Sequence, residues 1–209
     1  MSLKNTQNQN EKKFNLSVIG DFAVGKSSLI NRYVNNKFEI NIMGTAGLDM
    51  KKKVININNE QVKICIFDSA GQERFRYIAK NQMKDADGIL IIYDVTDRKS
   101  FNCAIKWLES IKNDKNELKF GINCVLIGNK IDLNNNIQVK KEEVLKIIEN
   151  FNVSFFETSA KENINVQEAF ENIIYDLYKK TVEEEKKENE QKTDRKKTNP
   201  DGCCSYVAS

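Results

Sequence analysis

Short apolar runs alternate along this chain with segments in which apolar residues recur at helical spacing. The apolar runs predict strands over residues 14–20, 48–58, 62–68, 88–95, 122–129 and 153–158. The periodic segments predict helices over residues 26–36, 100–113, 140–151 and 165–180. Strands that are apolar on both sides are typical of a sheet covered by helices on both faces. The pattern therefore predicts an α/β fold of three layers with a mostly parallel sheet.

Two of the predicted strands are close enough in sequence to form a hairpin. Residues 48–58 and 61–68 are joined by a short turn around Asn58 and Asn59. Because such a turn pairs its two strands antiparallel, one strand should run against the others. We therefore expect a mixed sheet.

The domain boundaries follow from the distribution of apolar residues. Residues 13–181 are predicted to form one domain, which is long enough to bury a stable core. Residues 1–12 are polar and are predicted to be a disordered extension. The stretch EEEKKENEQKTDRKKTNPDG has no apolar residue to offset the entropy of ordering, so residues 182–209 are predicted to be a flexible tail, or at most a frayed helix.

The composition excludes several kinds of chemistry. The chain has no histidine, which removes histidine-based triads, imidazole bases and most zinc sites. Its net charge of +3 is small, and basic and acidic residues are mixed along the chain, so nucleic acid is not an expected partner. No apolar run has the length of a membrane span, and the first residues do not resemble a secretory signal. We therefore expect a cytoplasmic protein with reduced core cysteines at positions 65, 103 and 124.

The segment GDFAVGKS, residues 20–27, lies between a predicted strand and a predicted helix. This is the context of a phosphate-binding P-loop, in which glycines let successive backbone N–H groups point inward. The helix N-terminus adds partial positive charge, Lys26 adds a full charge, and Ser27 offers a hydroxyl oxygen to Mg²⁺. The phosphate-binding residues predicted here are Asp21, Phe22, Ala23, Val24, Gly25, Lys26, Ser27 and Ser28.

Two motifs at the ends of later strands indicate guanine as the base. Residues 129–132 read NKID, and residues 158–161 read TSAK. A carboxylate at Asp132 can accept hydrogen bonds from the ring N1–H and the exocyclic amine of guanine, whereas adenine lacks both donors. Ligands of open α/β sheets bind at the carboxyl ends of the strands, where both motifs lie. The guanine-binding residues predicted from these motifs are Asn129, Lys130, Asp132, Ser159, Ala160 and Lys161.

A third motif, DSAGQE at residues 68–73, follows the predicted strand 62–68. Asp68 is predicted to hold Mg²⁺ through water, the Gly71 N–H to contact a γ-phosphate, and Gln72 to orient a hydrolytic water. The Asp-x-x-Gly pattern also occurs in simple turns. Its distance downstream of the P-loop favours the functional interpretation.

With these motifs, residues 14–180 resemble the Ras superfamily of small GTPases and, within it, the Rab family of membrane-traffic regulators. The strings that carry the resemblance are GLD (47–49), GQERFR (71–76), YDVT (93–96), GNKID (128–132) and ETSAK (157–161). The resemblance implies a P-loop GTPase domain with a mixed, mostly parallel sheet of about six strands and five helices. It also implies a GTP hydrolase that cycles between GDP-bound and GTP-bound states, with Mg²⁺, to regulate vesicle and membrane traffic.

The resemblance assigns two further residues and a set of partners. Thr45 would bind Mg²⁺ and the phosphates only in the GTP state, within a first switch segment around residues 38–47. Phe38 would pack on the guanine face, with a core or turn phenylalanine as the alternative. The implied partners are an exchange factor, a GTPase-activating protein, a GDP-dissociation inhibitor and effectors, and the protein is expected to be a monomer.

Phe22 departs from the family pattern, in which this P-loop position carries a small residue. A benzyl group here could displace Gln72 and the attacking water, so we predict slow intrinsic hydrolysis. Two alternatives remain: Phe22 points into solvent and matters little, or the protein stays GTP-bound and serves as a docking module. A P-loop ATPase or kinase is a third alternative, against which Asp132 argues.

Cys203 and Cys204, near the end of the tail, resemble a Rab prenylation site. Two lipid chains give stable membrane anchoring, and the basic residues 195–197 would add attraction to anionic lipid. The expected location is the cytosolic face of an internal membrane. Because residues 205–209 follow the cysteine pair, palmitoylation and no lipid at all remain alternatives.

Overall fold

The computed structural model describes residues 12–39, 48–69, 81–113, 123–151 and 153–197, which are built around one β-sheet. Its strands are β1 (Lys12–Gly20), β2 (Leu48–Ile57), β3 (Glu60–Ser69), β4 (Gly88–Asp94), β5 (Asn123–Asn129) and β6 (Ser154–Thr158). They lie in the order β2-β3-β1-β4-β5-β6. β2 pairs antiparallel with β3, and the other neighbouring pairs are parallel. The predicted mixed, mostly parallel sheet is confirmed.

Helices cover both faces of this sheet. They are α1 (Lys26–Asn35), α2 (Arg98–Asn113), α3 (Lys141–Ile148) and α4 (Val166–Lys197), with a 3-10 turn at Asn134–Asn136 and a helical turn at residues 81–84. Buried residues of α1 and α4, such as Leu29 and Phe170, share one apolar cluster with β1 and β3. Buried residues of α2 and α3, such as Trp107 and Val144, share a second cluster with β4. The three-layer α/β prediction is confirmed.

Asn58 and Asn59 form the turn between β2 and β3. Their φ angles are 51° and 65°, a left-handed conformation that asparagine adopts more readily than most residues. Ile57 and Glu60 face each other at the end of the ladder, so the hairpin has a two-residue turn. The predicted hairpin is confirmed.

The last helix is longer than predicted. α4 continues to Lys197, whereas the periodic pattern predicted an end at residue 180. Val182 still packs against the core, and Lys12 Nζ lies 3.1 Å from a carboxylate oxygen of Glu185. In this part of the chain Glu183 precedes Lys187 and Glu188 precedes Lys192 at i,i+4 spacing, which favours a helix even without a core. The helix therefore crosses the predicted domain boundary at residue 181, and the flexibility of residues 182–209 stays a prediction. None of the helices in the described ranges is both long and apolar enough to cross a membrane.

The parallel strands bring the candidate residues to one edge of the sheet. Val18 pairs with Asp68 between β1 and β3, Asp94 pairs with Asn129 between β4 and β5, and Asn129 pairs with Thr158 between β5 and β6. Because β1, β3, β4, β5 and β6 point in the same direction, the loops that follow them meet at this edge.

Candidate functional site

The loop from Gly20 to Ser27 connects β1 to α1 and turns through left-handed backbone. Gly20 has φ 148° and Gly25 has φ 96°, and even Ala23 has φ 57°. A β-carbon on Gly20 would lie closer than 3.0 Å to the backbone of Ile92 in β4, so the loop can pass the strand only with glycine there. No described side chain caps the N-terminus of α1, and its first turn has no acidic residue. Its backbone N–H groups and partial positive charge therefore suit an anion.

Lys26 places a buried cation beneath this loop. Its side chain is 5% exposed, and Nζ donates to the backbone carbonyls of Asp21 at 2.7 Å and Gly20 at 3.2 Å. Burial lowers the pKa of Lys26 to about 8, although the nearby carboxylates of Asp68 and Asp21 favour its charged form. An anion bound at the loop would stabilise the charged form further.

Ser27 and Asp68 bring two side-chain oxygens together beside the loop. The Ser27 hydroxyl donates a hydrogen bond to a carboxylate oxygen of Asp68, which is 4% exposed at the end of β3. Hydroxyl and carboxylate oxygens suit Mg²⁺, which usually takes few protein ligands and completes its octahedron with water and phosphate. Among the described residues, no group of three or more aspartate, glutamate or cysteine side chains is placed to hold a metal ion by itself. The donor set therefore fits a magnesium ion shared with a phosphate ligand.

Asn129 joins three loops at the edge of the sheet. Its Nδ2 donates to the carbonyl of Val24 in the first loop at 2.9 Å. Its Oδ1 accepts from the Thr158 hydroxyl at 3.2 Å and from the Ala160 N–H at 3.3 Å. Because Asn129 is only 1% exposed, these bonds have little competition from water. Asn129 therefore tethers the first loop and the TSAK segment to the end of β5.

Ser159 fixes the carboxylate of Asp132. Its hydroxyl donates to Asp132 Oδ1 at 2.6 Å and accepts from the Glu162 N–H at 3.0 Å. Ser159 is fully buried, whereas Asp132 is half-buried. The NKID and TSAK motifs thus meet side by side, with a half-buried carboxylate held in one orientation.

Lys130 ties the second motif to the first loop. It has φ 69°, and its Nζ lies 2.7 Å from Asp94 Oδ2 and donates to the carbonyl of Ala23 at 2.8 Å. The other oxygen of Asp94 accepts from both the N–H and the hydroxyl of Thr96. The aliphatic stem of Lys130 therefore runs between its own loop and the P-loop.

Comparison with known proteins decides the family. The chain matches the family model described as Ras family over residues 15–197. The Ras-related protein Rab-13 of Canis lupus familiaris is 38% identical over 168 residues, or 80% of this chain and 81% of that protein. The Ras-related protein Rab-10 of Diplobatis ommata is 38% identical over 177 residues, or 84% and 87% of the two chains. The Ras-related protein RABE1e of Arabidopsis thaliana is 35% identical over 204 residues, or 92% of each chain.

The chain belongs to the Rab family of small GTPases. Guanine-nucleotide binding at the edge of the sheet described above stays a prediction. The predicted family and fold are confirmed, and so is the general assignment as a GTP-binding GTPase. The individual roles assigned to the site residues stay predictions.

Several predicted site residues of this Rab protein lie outside the described ranges. They are Thr45, Gly71, Gln72, Cys203 and Cys204. Their roles in metal binding, hydrolysis and lipid attachment stay predictions.

The two phenylalanines singled out in the sequence have different surroundings. Phe38 is half-buried and packs against the apolar cluster of α1 and α4. Its contact with guanine stays a prediction beside the core alternative. Phe22 is 56% exposed, and its N–H donates to Asp21 Oδ1 at 2.7 Å. The benzyl group therefore lies at the rim of the P-loop and not in the core.

Sequence reasoning missed two residues of this Rab site, Asp94 and Arg32. Asp94 ends β4 and pairs in register with Asn129, so an acidic residue at the end of the neighbouring strand was an available signal. Arg32 lies within α1, yet it donates to the carbonyls of Ala160 and Lys161. No local signal could indicate that contact, because it joins segments far apart in sequence.

Proposed function

We propose that this Rab protein is a nucleotide-dependent switch of vesicle and membrane traffic, with the GDP-bound and GTP-bound states recognised by different partners. The observation that carries the proposal is the arrangement around Asn129. Its amide holds the P-loop through Val24 and the TSAK segment through Thr158 and Ala160. One residue thus sets the spacing between a phosphate cradle and a base-binding loop.

The two halves of the site would divide the ligand between them. Backbone N–H groups of residues 21–28 and the Lys26 ammonium would bind the phosphates. Asp132 would accept from the N1–H and the exocyclic amine of guanine, in the orientation that Ser159 fixes. The Ala160 and Lys161 backbone would close the far side of the base, and the Lys130 stem would lie along the ring.

Mg²⁺ would be held by Ser27 and Asp68, with Thr45 added in the GTP state. A bound magnesium ion would partly neutralise the negative charge of the β- and γ-phosphate oxygens. The role of the chain is to keep both protein oxygens in place, and the Ser27–Asp68 hydrogen bond shows that they lie within reach of one another.

Hydrolysis would depend on Gln72, which we propose orients the attacking water. Phe22 supports a slow rate because its exposed ring lies on the P-loop, where it can occupy space needed by that water or by an activating protein's arginine. The second candidate function, a docking module that stays GTP-bound, rests on the same residue. Identifying the nucleotide that stays bound to the purified protein separates the two candidate functions. A cycling switch should carry mainly GDP, and a docking module mainly GTP.

The tail would place the switch on the cytosolic face of an internal membrane. Lipids on Cys203 and Cys204 would supply the anchor, and an exchange factor, a GTPase-activating protein and a GDP-dissociation inhibitor would act on the domain. Mass spectrometry of protein from its native cells tests the anchor. An unmodified peptide containing both cysteines would refute it.

The nucleotide part is tested by measuring the affinities of the full chain for GDP, GTP and ATP with Mg²⁺ present. We expect a preference for guanine of about 10³-fold or more, because a site built to pair polar groups rejects a base that lacks them. Asp132→Ala should abolish the preference, whereas the exposed Asp85→Ala is the matched control and should keep it. Equal affinity for ATP and GTP in the unaltered chain would refute the proposal.

The rate is tested by single-turnover hydrolysis of GTP. Phe22→Ser should hydrolyse GTP faster than the unaltered chain, with little change in GDP affinity. The idea of an obstructing ring is wrong if both proteins hydrolyse GTP at the same rate.

A further inference from the structure

Arg32 connects the helix that follows the P-loop to the segment proposed to bind guanine. It lies in α1, and its Nε donates to the carbonyl of Ala160 at 2.9 Å while one terminal nitrogen donates to the carbonyl of Lys161 at 3.0 Å. The two acceptors are consecutive carbonyls of one loop. Both bonds are charge-assisted, which makes them stronger than bonds between neutral groups.

The orientation of Arg32 is fixed from its other side. The second terminal nitrogen donates to the carbonyl of Asn36 at 3.0 Å and approaches its Oδ1 at 3.4 Å. Asn36 is the C-cap of α1, in left-handed conformation. All three guanidinium nitrogens therefore have partners, and the planar group can adopt few other orientations. A lysine at this position could not span the same acceptors.

The loop that Arg32 holds also fixes the carboxylate proposed to select the base. Ser159 directly precedes the two carbonyls, and its hydroxyl donates to Asp132 Oδ1 at 2.6 Å. A continuous series of bonds thus runs from Arg32 through the backbone of residues 160–161 to Ser159 and Asp132. Arg32 itself contacts backbone carbonyls and does not need to contact the nucleotide.

We propose that Arg32 is a positioning residue for base recognition, which holds residues 159–161 so that Asp132 keeps the orientation that selects guanine. This inference rests on the proposed guanine-nucleotide function. It predicts that loss of Arg32 changes selectivity for the base as well as affinity. A residue that only stabilised the fold would weaken all nucleotides by the same factor.

The test compares GDP with inosine diphosphate, which keeps the ring N1–H and carbonyl but lacks the exocyclic amine. Dissociation rates and affinities of both are measured for the full chain and for Arg32→Met and Arg32→Lys. In Arg32→Met we expect GDP release to accelerate about tenfold, within the range typical of coupling between neighbouring sites. The preference for GDP over inosine diphosphate should also fall, because Asp132 is no longer held to accept from the amine. Arg32→Lys keeps the charge but not the fork of donors. Its GDP release rate and its preference for GDP should therefore lie between those of the unaltered chain and those of Arg32→Met.

Arg98→Met is the matched control. Arg98 is also an arginine with several partners, since it donates to both carboxylate oxygens of Glu143 and to the carbonyl of Gln138. Arg98 joins α2 to α3 and to the segment that precedes α3. Loss of Arg98 should therefore lower stability but leave both GDP release and the preference for GDP over inosine diphosphate unchanged.

Three outcomes overturn the inference. The first is an Arg32→Met protein that releases both nucleotides faster by one common factor, and the second is an Arg32→Met protein that behaves like Arg98→Met. If Arg32→Met does not fold, Arg32→Lys is measured in its place. The third outcome is then an Arg32→Lys protein whose preference for GDP over inosine diphosphate equals that of the unaltered chain. Equal affinity of the unaltered chain for ATP and GTP would instead refute the proposed function.

Discussion

The side-chain amide of Asn129 occupies the space in which a β-carbon of Gly25 would lie. A β-carbon built on Gly25 would stand closer than 3.0 Å to Asn129 Nδ2, and this same nitrogen donates to the carbonyl of Val24 at 2.9 Å. The P-loop can therefore pass close to the NKID motif only because residue 25 has no side chain. One glycine serves both the backbone turn and the contact between the two halves of the site.

Gly25→Ala should weaken GDP binding by about tenfold or more. The methyl group would push the Asn129 amide away from Val24, and alanine at φ 96° is strained by about 1–3 kcal/mol. Fluorescence titration with GDP measures the loss. In an Asn129→Ala background the collision disappears and only the backbone strain remains, so the same substitution should cost less there. Equal losses in both backgrounds would contradict a collision.

Asn129→Ala should destabilise the fold as well as the site. It leaves the carbonyl of Val24, the hydroxyl of Thr158 and the N–H of Ala160 without the bonds that they make to Asn129. Since each unsatisfied buried group costs about 1–3 kcal/mol, we expect the free energy of unfolding to fall by about 3 kcal/mol in urea denaturation without added nucleotide. Thr158→Val removes one of the three bonds and should cost about 1 kcal/mol. An equally large loss in both variants would show that Asn129 is not the common tether.

Lys53→Met should lower stability by about 1–3 kcal/mol, because it removes a cation that joins β2 to α1. Lys53 Nζ donates to the backbone carbonyl of Tyr33 at 2.6 Å. It also lies 3.7 Å from the centroid of the Tyr33 ring, which is stacked on the ring of Phe170. Urea denaturation measures the change. Lys52→Met is the matched control, because Lys52, the preceding residue of the strand, points to the opposite face and is exposed. A comparable loss of stability in Lys52→Met would show that the effect comes from the removed charge and not from the contact of Lys53 with Tyr33.

The Arg98–Glu143 pair should make a small part of the stability depend on pH. The hydrogen-bonded guanidinium of Arg98 lowers the pKa of Glu143 below its ordinary value of 4.5. A carboxyl group whose pKa is lower in the folded chain stabilises the fold above its unfolded pKa, and this contribution is lost as pH falls through the folded pKa. The unaltered chain should therefore have a higher Tm than Glu143→Gln at neutral pH, with a difference that shrinks below pH 4.5.

The control for that experiment is Glu142→Gln, which changes the neighbouring exposed carboxylate. It should leave the Tm nearly unchanged at neutral pH. A Tm difference for Glu143→Gln that persists in acid would show that lost packing, and not the ion pair, is the cause. Added salt should also reduce the difference, because the pair is partly exposed to solvent.

Most of the fold could be predicted because its signals are local. The apolar runs of the sheet and the two asparagines of the hairpin turn each express a conformational preference of a few neighbouring residues. The end of α4 could not be predicted in the same way. Its last turns have no apolar period, and Lys12 contacts Glu185 from the first strand of the sheet.

The sequence by itself determined the P-loop, the NKID and TSAK motifs and their place at strand ends, because each depends on residue types at fixed short spacings. Only the tertiary structure decided how these motifs hold one another. The contacts of Asn129 with Val24, of Lys130 with Asp94 and of Arg32 with Ala160 depend on the order of strands in the sheet. Residues distant in the chain become neighbours only when that order is set, and no local pattern records which of them will meet.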